Sequence, residues 1–93
     1  INSEILMIEK QIVIKDSVGF HARTASLFAK KAARFESDVA IVFNGKKVNG
    51  KSTLSLMTLG VKSQDEIAIT VSGKDESLAM ESLVTLIENN FKD

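Results

Sequence analysis

The hydrophobic positions near the start of the chain follow first the spacing of a strand and then that of a helix. Ile8, Ile12 and Ile14 fall on one side of an extended segment with polar residues between them, which predicts a half-buried strand. A turn is expected at residues 16–20, where Gly19 can adopt backbone angles that other residues resist. From residue 22 the apolar residues recur at helical spacing, and the predicted buried side comprises Ala25, Phe28, Ala29, Ala32 and Phe35.

The middle of the chain has the pattern of a hairpin followed by a short helix. A strand is predicted from the alternation of Val39, Ile41 and Phe43. Asn44-Gly45 is the strongest short hairpin signal, and residues 46–48 are expected to form the returning strand. Residues 53–59 fit a short helix that ends at Gly60.

The last part of the chain predicts one more strand and a longer helix. The strand is indicated by the alternating residues Ile67, Ile69 and Val71. Gly73 breaks this strand, and Asp75 is expected to cap the N-terminus of the helix. The apolar stripe of the helix comprises Met80, Leu83, Val84, Ile87 and Phe91.

The element order β-α-β-β-α-β-α predicts a two-layer α+β fold, because helices in this order cover one face of an antiparallel sheet. The length of 93 residues is that of one domain with a single core. We expect this domain to span residues 7–93, and residues 1–6 to be an extension that precedes it.

Composition excludes several classes of chemistry. The chain has no cysteine and a single histidine, so disulfides, thiolate chemistry and clustered metal ligands are not expected. Twelve basic and twelve acidic residues cancel, which argues against general binding to nucleic acid or to anionic membranes. No apolar run reaches the length of a membrane span, and no export signal is visible. We therefore expect a cytoplasmic protein without a cofactor or metal.

The segment Gly19-Phe20-His21-Ala22-Arg23 is the first candidate for chemistry. His21 immediately precedes a predicted helix, where backbone N–H groups and the helix dipole favour negative charge. A neutral imidazole is a competent nucleophile near neutral pH, and Arg23 could contact a phosphoryl oxygen. On these residues alone, two interpretations stay open: a phosphoryl acceptor, and a histidine that only caps the helix.

Ser52 is the second candidate, within Lys51-Ser52-Thr53-Leu54. Serine is a preferred N-cap residue, so Ser52 could simply cap the short helix. A serine at a helix N-terminus is also well placed for phosphorylation, because the dipole stabilises the added charge. The residues alone leave both roles open.

The two segments together resemble HPr, the family of histidine-containing phosphocarriers of the bacterial phosphotransferase system. The resemblance rests on Gly19-Phe20-His21-Ala22-Arg23 followed by Ala25-Ser26, and on the residues from Val48 to Ser52 with Leu59-Gly60-Val61. It covers Met7 to Phe91 in the element order of the family. It implies an open-faced β-sandwich, with a four-stranded antiparallel sheet covered on one face by three helices.

The resemblance also implies roles and partners. His21 matches the residue that enzyme I phosphorylates on Nδ1 and that sugar-specific IIA components discharge, and Arg23 matches the arginine that contacts the phosphoryl group. Ser52 matches the serine that HPr kinase/phosphorylase modifies, a form that binds the catabolite control protein. We expect a monomer that carries phosphate without being an enzyme.

A docking surface for these partners is expected around the two helix starts. It includes apolar, basic and hydroxyl side chains: Phe20, Thr24, Leu27, Lys30, Lys31, Lys51, Thr53, Leu54 and Met57.

Thr24 departs from the family pattern, which has proline at this position. Proline is tolerated in a first helical turn because its missing N–H would have had no partner there. Thr24 restores this N–H next to His21. Either the phosphoryl group uses the additional donor, or the ring of His21 is held less firmly.

Two other function classes remain as alternatives. One resembles the HPr paralogue of catabolite repression, which acts through the serine and lacks the histidine; His21 counts against it. The other is a ligand-sensing or RNA-binding domain of ferredoxin-like type. RNA binding favours aromatic residues on the sheet, where Phe43 alone is predicted.

Overall fold

The computed structural model of the protein describes residues 7–15 and 19–92. The elements follow in the order β1 (Ile8–Val13), α1 (Ala22–Ala32), β2 (Asp38–Phe43), β3 (Lys46–Asn49), α2 (Thr53–Met57), β4 (Glu66–Ser72) and α3 (Glu76–Glu88). This order confirms the predicted one. The expected extension at residues 1–6 and part of the turn expected at 16–20 lie outside the described residues.

The strands form one antiparallel sheet in the spatial order β1-β4-β2-β3. Alternate residues of the central strands are buried, and Ile41 of β2 lies opposite Ile69 of β4. The residues between them, such as Ala68 and Thr70, are only partly buried. The apolar alternation therefore selects the face that the helices cover, and the open-faced two-layer fold is confirmed.

The helices bury the stripes that the sequence predicts. In α1, Ala25, Phe28, Ala29 and Ala32 are buried, whereas Phe35, beyond the helix, is half-buried. In α3 all four predicted helical residues are buried, and Phe91 is buried after the helix has ended. Full burial of one side chain such as Phe28 contributes about 1.5–3 kcal/mol to folding.

Two turns have the backbone angles that their residues favour. Asn44 and Gly45 have φ values of 53° and 78°, as a tight hairpin turn between β2 and β3 requires. Helix α2 ends at Met57, earlier than the predicted residue 59. The backbone N–H of Leu59 then donates to the carbonyl of Leu56 in a tighter turn, and Gly60 follows with φ 74°.

Asp75 occupies the predicted N-cap position of α3, but the expected capping hydrogen bond is not formed. Its carboxylate instead accepts hydrogen bonds from the backbone N–H groups of Glu36 (2.9 Å) and Ser37 (3.0 Å) and from the Ser37 hydroxyl. Ser37 is buried, so its polar groups need a partner inside the protein. The Ser37 hydroxyl, followed by the Glu36 N–H, lowers the pKa of Asp75.

Candidate functional site

His21 is the N-cap residue of α1. Its backbone is extended, with φ −126° and ψ −170°, and its Nδ1 accepts the backbone N–H of Arg23 at 3.3 Å. The backbone N–H of Thr24 also donates to the His21 side chain, which completes one half of a capping box. An acceptor nitrogen carries a lone pair, so the neutral ring has its proton on Nε2. The imidazole is partly exposed, with Nδ1 directed at the helix N-terminus.

Thr24 forms the other half of the capping box. Its hydroxyl accepts the backbone N–H of His21 at 3.1 Å and donates to the carbonyl of Gly19 at 2.6 Å. The side chain is fully buried. Of the two sequence-based alternatives for Thr24, weaker restraint of the ring finds no support in this geometry, because the residue binds the backbone on both sides of Phe20.

The turn before His21 packs closely on the segment after α2. Gly19 has φ 89°, and a Cβ atom at this position would lie 2.3 Å from the carbonyl oxygen of Val61. The Phe20 N–H donates to the same oxygen at 3.2 Å. This close approach leaves no room for a side chain at residue 19.

The Phe20 side chain points into the core. Only 6% of it is exposed, and its ring meets those of Phe28 and Phe91 edge to face at centroid distances of 5.7 and 6.0 Å. The aromatic contacts anchor the turn that carries His21.

Ser52 is the N-cap of α2, and its hydroxyl accepts the backbone N–H of Ser55 at 3.2 Å. The preceding residue, Lys51, donates its ammonium group to the carbonyl of Phe35 at 2.8 Å. This contact places the start of α2 near the segment that follows α1. The predicted capping role of Ser52 is confirmed, while its phosphorylation stays a prediction.

The contacts at both ends of α2 fix its direction relative to α1. Helix α2 begins near Phe35, beyond the end of α1, and the chain after it reaches Phe20, before the start of α1. The two helices also contact each other. His21 and Ser52 therefore lie toward opposite ends of α1, whose 11 residues span about 16 Å.

The structure buries some of the side chains that the sequence predicts for the docking surface. The side chains of Phe20 and Thr24 are buried, in the aromatic cluster and the capping box, so their part in docking stays a prediction. Lys31 is half-buried in a hollow beside Glu81 and Thr85 of α3, away from α2.

The other side chains predicted for docking, together with Arg23, lie on or beside α1 and α2. Arg23 and Lys30 are exposed, and Leu27 is half-buried. Leu54 is 74% exposed and Met57 is 40% exposed. We call these five residues the α1–α2 surface. Lys51 and Thr53 are half-buried beside it.

Sequence reasoning missed two parts of the site. The hydroxyl of Thr24 was overlooked because only its backbone N–H was compared with proline; the spacing of three residues from His21 was the available signal. The carbonyl of Val61 leaves no signal in the sequence, since any residue has one.

Comparison with known proteins identifies the family. Residues 8–89 match the family model for the PTS HPr component phosphorylation site. The chain belongs to the HPr family. The HPr-like protein Crh of Halalkalibacterium halodurans is 45% identical over 82 residues, covering 88% of this chain and 98% of that protein. The phosphocarrier protein HPr of Borreliella burgdorferi is 41% identical over 87 residues, covering 94% and 100%.

A solved structure confirms the HPr fold. The structure of HPr-C-His from Thermoanaerobacter tengcongensis superposes with a TM-score of 0.89 at 40% identity, covering 92% of this chain and 97% of that one. The protein is thus an HPr-family phosphocarrier of the phosphotransferase system rather than a catalyst. Its relatives include both HPr and Crh proteins.

Within residues 7–15 and 19–92, every helix is too short or too polar to cross a membrane.

Proposed function

We propose that this HPr-family protein accepts a phosphoryl group on Nδ1 of His21 from enzyme I and passes it to sugar-specific IIA components. Phosphoenolpyruvate is the original donor. The observation that carries the proposal is the placement of Nδ1 at the N-terminus of α1, within hydrogen-bond reach of backbone N–H groups. Such N–H groups favour an anion at the same position.

The lone pair on Nδ1 is the nucleophile. It attacks phosphorus in line with the bond to the donor, the N–P bond forms, and the donor leaves with the electron pair of the broken bond. The ring proton stays on Nε2. The hydrogen bond from the Arg23 N–H to Nδ1 is long, at 3.3 Å, so releasing the lone pair costs little.

The same N–H groups then serve the product. Once Nδ1 is bonded to phosphorus, the N–H groups of Arg23 and Thr24 can donate to phosphoryl oxygens, supported by the helix dipole. The exposed guanidinium group of Arg23 supplies an additional charge-assisted contact. In transfer to a IIA component, the nucleophile of the acceptor attacks phosphorus, and Nδ1 leaves with the electron pair of the broken N–P bond.

The α1–α2 surface is the proposed docking site for enzyme I and the IIA components. It combines the exposed cations Arg23 and Lys30 with exposed apolar residues Leu54 and Met57, which suits partners with acidic and apolar patches. It runs along α1 from the His21 end toward Ser52. Docking at this surface would bring the donor group to Nδ1.

A regulatory role of Ser52 is the second candidate function. Its specific support is the similarity to the HPr-like protein Crh, together with the hydroxyl at the N-cap of α2. HPr kinase/phosphorylase is the proposed modifying enzyme, and the catabolite control protein is the proposed partner of the modified form. Retention of His21 favours the carrier function as the main one.

Labelling with enzyme I and phosphoenolpyruvate tests the carrier function. Intact-mass analysis should show one acid-labile phosphoryl group on the parent and none on His21→Asn. Asparagine is the matched control, because its side chain can still cap α1 but cannot act as the nucleophile. An equal adduct on His21→Asn, or none on the parent, would contradict the proposal.

The monomeric state and the cytoplasmic location stay predictions. Light scattering at several protein concentrations measures the first, and fractionation of cells that produce the protein measures the second. A measured mass of two chains at all concentrations would show a dimer and contradict the predicted monomer.

A further inference from the structure

Thr24 is a polar side chain in an apolar setting. Its side chain is fully buried, and its hydroxyl has defined partners on both sides of Phe20: the carbonyl of Gly19 and the backbone N–H of His21. The donor and acceptor roles are fixed, because the hydroxyl has one proton and this proton goes to Gly19. The oxygen lone pair is thereby presented to His21.

These two bonds determine how His21 is held. One bond secures the turn at Gly19, where the backbone lies against Val61 and cannot shift inward. The other secures the N–H of His21 itself, so the backbone on the N-terminal side of the imidazole has little freedom. The imidazole ring is restrained in addition by the backbone N–H groups of Arg23 and Thr24, which donate hydrogen bonds to the His21 side chain.

We infer that the hydroxyl of Thr24 is a positioning group for phosphoryl transfer at His21. This inference rests on the proposed function of His21. Thr24 touches neither the ring nor the phosphoryl group through its hydroxyl; it acts through the backbone of His21. By holding this backbone, the hydroxyl keeps the imidazole in the orientation that places the Nδ1 lone pair at the N-terminus of α1, and in the tautomer that has its proton on Nε2. In-line attack on phosphorus requires both.

The loss of the hydroxyl has a defined consequence. Without it, the buried carbonyl of Gly19 and the N–H of His21 lose their partner, and backbone groups without partners in a core drive a local shift. The α1–α2 surface is untouched by this change. Phosphorylation should therefore slow at the transfer step, with docking unaffected.

Thr24→Val is the test variant, because valine has nearly the same shape and lacks the hydroxyl. Thr24→Ser keeps the hydroxyl and should restore the parent behaviour. Thr58→Val is the matched control, since Thr58 also donates its hydroxyl to a backbone carbonyl, that of Ser55, but is exposed at the end of α2.

Two readouts separate positioning from a general loss of stability. In unphosphorylated protein, the His21 amide should exchange about tenfold faster in Thr24→Val, and the nitrogen chemical shifts of the ring should move toward mixed tautomers. With enzyme I as donor, kcat should fall about tenfold or more while KM stays within about twofold. Thr24→Ser and Thr58→Val should match the parent in both.

Each possible result either supports or overturns the positioning role of Thr24. A folded Thr24→Val with parental amide exchange, tautomer and kcat overturns the inference, as does a rise in KM alone. If Thr24→Val does not fold, the parent decides: its His21 amide must exchange at least about tenfold slower than in an unfolded chain. A parent that enzyme I does not label refutes the proposed function instead, whatever the amide exchange shows.

Discussion

Single residues at the two helix starts serve structure and chemistry with the same atoms. His21 and Ser52 both occupy N-cap positions, and in each the atom proposed to accept phosphate is the atom that now accepts a backbone N–H. Phosphorylation affects the two caps differently. Nδ1 loses its lone pair when it is phosphorylated, whereas a phosphoserine keeps several oxygens that can cap α2.

Phosphorylation of Ser52 is therefore expected to leave the fold intact and to weaken binding to enzyme I. The phosphate adds about −1.5 to −2 charges, which the N-terminus of α2 stabilises. His21 lies toward the other end of α1, and physiological salt screens exposed charges over about 8 Å. The effect should appear in affinity more than in the reactivity of the ring.

Calorimetric affinities of modified and unmodified protein for enzyme I, with circular dichroism as the folding control, check this prediction. Ser52→Asp should show the same trend more weakly, and Ser52→Ala should lose about 1 kcal/mol of unfolding free energy through the cap alone. Unchanged affinity in the phosphorylated protein would leave Ser52 as a helix cap.

At the scale of elements, α1 presents its cations on different sides. Lys30 is exposed on the α1–α2 surface, whereas Lys31 faces the hollow beside α3. Helical spacing alone grouped these neighbouring residues, because the position of α3 relative to α1 cannot be read from the sequence.

Charge reversal at Lys30 is expected to slow association with enzyme I by about tenfold at low salt, and much less at high salt, because screening removes electrostatic steering. Lys31→Glu should have a smaller effect. Stopped-flow association rates at several ionic strengths measure both. Lys46→Glu is the control, an exposed lysine on the β2–β3 hairpin; an equal effect there would indicate net charge rather than a surface.

The start of α3 and the loop after α1 are joined by Asp75, which gives the fold an acid-sensitive link. The hydrogen bonds from Ser37 and Glu36 lower the pKa of this carboxyl in the folded protein. Its stabilisation is thus fully present above the ordinary pKa of 3.8 and is lost as the pH falls through the lower, folded value.

Asp75→Asn should therefore destabilise the protein at pH 7, and this penalty should shrink at about pH 3. Urea unfolding of parent and variant at both pH values gives the comparison. Asp65→Asn offers a control, because that carboxylate accepts the exposed backbone N–H of Lys62. A penalty for Asp75→Asn that is independent of pH would contradict the assigned link.

At the scale of the whole molecule, the fold was predictable because each helix and strand has a recognisable pattern in its own stretch of the sequence. Alternating apolar residues predicted β1, β2 and β4, helical stripes predicted α1 and α3, and Asn44-Gly45 and Gly60 marked the hairpin and the end of α2. The site was predictable only in part. Phe20 packs against Phe91, and the turn at Gly19 lies against Val61; both partners are distant in sequence and approach through the packing of the sheet and helices.

The Phe20–Phe91 contact connects the C-terminal part of the chain to the His21 turn. Phe91 is 2% exposed and has φ 62°, an unfavourable angle for a bulky residue that is stabilised by burial and by its N–H bond to the carbonyl of Leu86. Phe91→Ala should cost about 3–5 kcal/mol of unfolding free energy and accelerate amide exchange at Phe20 and His21. Phe91→Leu should cost less.

Denaturant unfolding and amide exchange measure the two effects. A large loss of stability without faster exchange at the turn would show that Phe91 supports the core alone, and not the site.

The capping bond of His21 also bears on the reaction equilibrium of a relay. A hydrogen bond to Nδ1 stabilises the protein without its cargo, and donation by the same N–H groups to phosphoryl oxygens stabilises the protein with it. Because the bond to the neutral Nδ1 is long and the bonds to phosphoryl oxygens are charge-assisted, the same donors favour the phosphorylated protein and offset part of the lability of the N–P bond. A helix start arranged in this way lets the group move in either direction between donor and acceptor, according to their relative supply.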